Sequence, residues 1–119
     1  MSKILEKAEE RQTGRTTRTL LCIDKFPAVF IVEHGVMRDN AIRLCEKHLK
    51  VEKISRVGCT VHTDKGDIRI ISKEKLEDPY WCRGLIIKQV AIDHYAQDCP
   101  WSPKQREGLW KLRAQIRRG

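Results

Sequence analysis

Apolar residues in this chain gather into short unbroken runs separated by charged stretches. Ala28-Val29-Phe30-Ile31-Val32 is the cleanest run. It is β-branched and aromatic in type, follows Pro27 and ends before Gly35. That composition predicts a strand covered on both faces, as in a parallel sheet. Ile86 to Ile92 reads as a second buried strand and ends at Asp93-His94. Between them, Ile54 to Thr63 and Asp67 to Ser72 read as two strands joined by the turn Asp64-Lys65-Gly66. In the first of these, Val57, Cys59 and Val61 alternate with polar or small residues, as a half-exposed strand requires.

Helical spacing fills much of the rest. Ile4, Leu5 and Ala8 share a face over residues 2–12. Leu20, Leu21 and Ile23 fit a helix from Thr16 to Phe26, which Pro27 stops. Asp39 or Asn40 is placed to cap a helix whose stripe is Ala41, Ile42, Cys45 and Leu49. Residues 73–84 read as irregular. A last helix over about 104–117 carries Leu109, Leu112 and Ile116, with Trp101 and Trp110 expected to dock it. Buried strands alternating with helices predict an α/β layer structure in one domain, residues 1–119.

Charge changes this picture at one end. The net charge is +8, and the segment 102–119 holds Lys104, Arg106, Lys111, Arg113, Arg117 and Arg118 against Glu107 alone. Such asymmetry suits an acidic partner, most simply nucleic acid. A solvated helix face is the other reading, and both stay open. Cysteine usage points to a reducing compartment, because the five cysteines are odd in number and form no C-x-x-C. No stretch approaches the roughly 18 apolar residues of a membrane span, and the N-terminus does not read as a secretory signal. The expectation is a cytoplasmic protein.

Candidate chemistry lies at the front of the chain and at the end of the second buried strand. A phosphate-binding loop needs glycines for a tight wrap, a cation for charge and a hydroxyl for Mg²⁺, in the pattern G-x-x-x-x-G-K-[ST]. In the frame from Glu9 to Thr16, the last three positions hold Gly14, Arg15 and Thr16, while Glu9 stands where the first glycine belongs. Arg15 keeps the charge without the compact ammonium. An ordinary glycine loop before a helix is the plainer reading. Asp93 follows an apolar strand, where nucleotide hydrolases place the acid that orders Mg²⁺. The next residue is His94, where a glutamate usually activates water.

Gly14-Arg15-Thr16-Thr17-Arg18, then Asp64-Lys65-Gly66-Asp67-Ile68-Arg69-Ile70, Arg83-Gly84 and Val90 to Asp93, follow one another in a familiar order. In that order the chain resembles the small helicase- or terminase-like ATPase fragments of bacteriophages, over roughly residues 11–95. The resemblance implies a truncated, single-domain P-loop NTPase-like three-layer sandwich with a mostly parallel sheet. It places phosphate contacts at Gly14, Arg15, Thr16 and Arg18, and Mg²⁺ at Thr16 and Asp93 if Mg-ATP binds. His94 in the glutamate's position implies poor hydrolysis. The expected function is therefore binding of nucleic acid or nucleotide phosphate without efficient turnover. Two alternatives stand beside it: an interaction protein that docks on a host complex, and a weak Mg-dependent ATPase.

Two smaller features complete the reading. Cys59-x-x-His62 with His94-x₄-Cys99 offers four zinc ligands, although neither spacing is that of a standard finger. Trp81, in a basic loop with Tyr80, Arg83 and Lys88, is placed either to stack on bases or to close one end of the core.

Overall fold

A computed structural model describes residues 15–118 apart from Val57, Pro79 and Arg83, and apart from the side chain of Arg118. The helix expected over 2–12 lies outside the described residues, as does Gly14. Helix α1 covers residues 15–21. There follow β1 (Ala28–Val32), α2 (Gly35–His48), β2 (Val51–Ser55), β3 (Thr60–Thr63) and β4 (Gly66–Ser72). A 3-10 helix (Lys73–Glu77), β5 (Gln89–Ile92), α3 (His94–Asp98) and α4 (Pro103–Arg118) complete the order.

The five strands form one mixed sheet in the order β2-β3-β4-β1-β5. β1 is flanked by two parallel partners, with Ile31 paired to Ile71 of β4 and to Ile92 of β5. The other two pairings, β2 with β3 and β3 with β4, are antiparallel. Only half of the pairings are thus parallel. The reason lies in the segment expected to be one long strand from Ile54. Gly58 and Cys59 both take positive φ (84° and 47°), which breaks the strand and folds its second half back beside the first.

All five β1 side chains are buried, and alternation sends them to two cores. Ala28, Phe30 and Val32 face Leu20 and Ile23, with Ala41, Leu44 and Cys45 of α2. Val29 and Ile31 face Ile71, Leu76 of the 3-10 helix, Ile87 and Leu112 of α4. Helices therefore cover both faces of the central strand, and burying each large apolar side chain contributes about 1.5–3 kcal/mol.

Several boundaries differ from the sequence pattern. α2 begins at Gly35 with His34 as its cap residue, so Asp39 and Asn40 lie inside the helix and are exposed. β5 begins only at Gln89, because Lys88 donates its backbone N–H to the Pro27 carbonyl at 2.7 Å, ahead of the ladder. The irregular reading of 73–84 misses the 3-10 helix, whose Leu76 enters the second core. The turn before β4 matches expectation. Gly66 has φ 144°, and its N–H and carbonyl are both bonded by the Thr63 hydroxyl. A Cβ there would overlap the Phe26 side chain.

Candidate functional site

β4, β1 and β5 run in the same direction, so their carboxyl ends share one edge of the sheet. In open α/β sheets that edge is where ligands bind. Ser72-Lys73, Glu33-His34 and Asp93-His94 emerge there.

Asp93 anchors the edge. Its backbone N–H donates to Ile31 O at 2.9 Å, which extends the β1–β5 pairing by one step and fixes the side chain. Alternation places Asp93 on the α1 face, with Ala91, while Val90 and Ile92 pack into the opposite core. Thr16 meets it from α1. The Thr16 hydroxyl donates to Asp93 Oδ1 at 2.8 Å, between two buried groups 77 residues apart in sequence. His94 Nδ1 approaches the same oxygen at 3.3 Å, without hydrogen-bond geometry. Arg15 and Arg18 flank Thr16 on α1, and both are exposed.

A hydroxyl and a carboxylate side by side are hard oxygen donors. They fit Mg²⁺, which takes one or two protein oxygens and fills its remaining positions with water and phosphate. Thr16 and Asp93 would hold the ion. The zinc grouping does not form: among the described residues no three His, Cys, Asp or Glu side chains gather as metal ligands. His62 is instead engaged on the open face of the sheet. Its Nδ1 lies 2.8 Å from Asp67 Oδ1, and its Nε2 lies 2.9 Å from Ser55 Oγ. This line has the connectivity of a nucleophile relay, but its members are neighbours across strands. The cavity of about 700 Å³ beside β2 is lined by Ile54, whose side chain leaves the sheet on the opposite face from Ser55.

The sequence pattern missed Lys73 and Glu33. Lys73 is 1% exposed, and its Nζ lies 2.7 Å from Glu33 Oε2. The same ammonium donates to Cys99 O at 3.0 Å and sits 4.3 Å above the Trp101 ring centroid. An ammonium taken out of water is costly unless it is paired and hydrogen-bonded, as this one is. The pair ties the carboxyl end of β1 to the segment that enters α4. Glu33 carries the signal that singles out Asp93, a charge directly after an apolar strand, whereas Lys73 is masked by the charge run Lys73-Glu74-Lys75. A cavity of about 310 Å³ opens beside it, lined by Glu33, His34, Lys73 and Glu74 among others.

The remaining expected residues divide. Lys104, Arg106, Lys111, Arg113 and Arg117 are all exposed on α4. Trp81 is half-buried and packs against the second core, so it closes that core. Trp101 docks as expected, but Trp110 does not, being 70% exposed. Among the described residues no helix is long and apolar enough to cross a membrane. Comparison of the chain with models of protein families, with curated proteins and with solved structures finds no match in any of the three.

Proposed function

We propose that this domain binds the phosphates of a nucleotide, with Mg²⁺, at the carboxyl edge of β5, and turns the nucleotide over poorly. The observation that carries the reading is the Thr16–Asp93 hydrogen bond. A glycine-arginine-threonine segment and an acid closing an apolar strand are far apart in sequence, and the fold puts the hydroxyl on the carboxylate. Nucleotide hydrolases hold Mg²⁺ with such a pair. The order of motifs that resembles helicase- and terminase-like ATPase fragments of phages points the same way.

The chain's own groups have distinct parts in this reading. Arg15 and Arg18 neutralise phosphate charge from α1. Thr16 and Asp93 would hold the metal, whose charge would offset that of the phosphates. His94 stands beside the acid where a second carboxylate would orient water. The position that holds a glutamate in the ATPase fragments the chain resembles holds an imidazole here, and this departure supports binding without efficient turnover.

The test is a thermal shift with Mg²⁺-ATP and with Mg²⁺ alone. A ligand that binds only the folded state raises the melting temperature by mass action. The expected result is a rise with Mg²⁺-ATP that Arg15→Ala removes. Arg15 is exposed, so its loss leaves the fold intact. No rise for the unaltered protein at millimolar Mg²⁺-ATP overturns the reading.

A further inference from the structure

We propose that the outer face of α4 binds a single strand of nucleic acid, with Trp110 stacking on an unpaired base between arginines that hold the backbone. This does not rest on the phosphate reading, because α4 packs on the sheet face opposite α1.

The helix has two differently used sides. Leu109, Leu112 and Ile116 pack against the sheet, and Gln115 donates to the Leu85 carbonyl at 2.8 Å. Arg106, Trp110, Arg113 and Arg117 follow at spacings of four, three and four, which puts them on one outward stripe. All four are exposed. Among the described residues none of these three arginines has an acidic partner. The helix's one acid, Glu107, is drawn to the neighbouring flank by Lys111 at 3.2 Å. Trp110 therefore stands in water, 70% exposed, inside an unneutralised row of guanidinium groups.

Each part has a cost alone and a use together. An indole in water forfeits the burial that makes Trp valuable, and unpaired like charges repel. A polyanion with exposed aromatic faces offsets both, because phosphates take the arginines and a base covers the indole. Arg106 to Arg117 spans ~16 Å of helix, the length of about five stacked nucleotides. A duplex offers the phosphates but hides its base faces, leaving Trp110 unused. A membrane surface is a poor fit, since the apolar side of α4 is already spent on the core.

The experiment follows binding of 12-nucleotide oligo-dT and oligo-U, a 12-base-pair duplex and poly-glutamate by anisotropy, with tryptophan quenching in parallel. Expected are tighter binding of single strands than of the duplex, quenching on binding, and about tenfold weaker binding for Trp110→Ala. Trp110→Phe should restore most of the affinity. Replacing Arg106, Arg113 and Arg117 by Gln should flatten the salt dependence by about two in log–log slope. All these positions are exposed, so melting temperatures stay near that of the parent, and any shift with Mg²⁺-ATP is unaffected. Equal affinity for Trp110→Ala, duplex binding as tight as single-strand binding, or poly-glutamate bound as well as oligo-dT would each overturn the proposal. The last two outcomes would reassign the face to duplex or to an acidic protein.

Discussion

The backbone of Gly108 in α4 lies against the carbonyl of Leu76, so close that a Cβ at 108 would overlap the carbonyl oxygen. This approach lets α4 settle on the 3-10 helix and bring Leu112 into the core. The obstruction is backbone, which cannot swing aside as a flexible side chain can. Gly108→Ala should therefore destabilise the domain by about 1–3 kcal/mol despite the better helix propensity of alanine. Urea unfolding measures this. Glu107→Ala, one residue away in an exposed ion pair, should change stability by no more than about 0.5 kcal/mol.

Lys73 and Glu33 form a buried pair, and such pairs are most sensitive to the loss of one member. Lys73→Met leaves the mostly buried Glu33 carboxylate, 14% exposed, without its ammonium, at a cost of about 3 kcal/mol, the lower end for such pairs. Combining it with Glu33→Gln should recover a substantial part of that loss. Denaturant midpoints of the two single variants and the double variant check this. Additive losses would mean that the pair is not coupled.

Thr16→Val removes the hydroxyl that donates to Asp93 Oδ1 while keeping the side-chain shape. A buried carboxylate that loses a donor costs about 1–3 kcal/mol. Thr16→Ser keeps the hydroxyl and should lie close to the parent. The comparison also bears on the phosphate site, since Thr16→Ser should retain the Mg²⁺-ATP shift and Thr16→Val should not.

Cys45 gives a pH prediction. Burial first, and the Glu46 charge second, push its thiol up to about 11 from an ordinary 9.0. Between those values the folded state holds a proton that the unfolded state has released. Stability contributed by the neutral thiol is thus complete below pH 9 and falls as pH rises toward 11. The melting temperature of the parent should drop more steeply across that window than that of Cys45→Ala. At pH 8 a thiol reagent should label exposed Cys22 well before Cys45.

Local composition made some of this molecule legible and left the rest dark for identifiable reasons. Ala28–Val32 announced itself because five apolar β-formers in a row have few other uses. The stripes of α2 and α4 were visible for the same reason, since spacing maps directly onto a face. The break at Gly58-Cys59 was hidden by the apparent alternation of Val57, Cys59 and Val61, and with it went the antiparallel half of the sheet. At the site, Thr16 and Asp93 were both singled out, but their contact is a property of the fold. Lys73 looked like one of many surface lysines, and its burial depends on Trp101 and Glu33 arriving from elsewhere in the chain. Trp110 erred the other way. Tryptophan argued for the core, yet its place beside Arg106 and Arg113 sets it outward.

The position of β1 has a consequence for how the chain is made. Its two sheet partners, β4 and β5, both come later in sequence, and Ala28 must wait for Ile68 on one side and Gln89 on the other. During synthesis this fully apolar segment leaves the ribosome before either partner strand and stays unpaired until both have followed. An unpaired, fully apolar strand invites pairing with the same strand of another nascent chain. Yield of soluble protein should therefore depend on translation speed, temperature and chaperone supply more than the stability of the finished fold suggests.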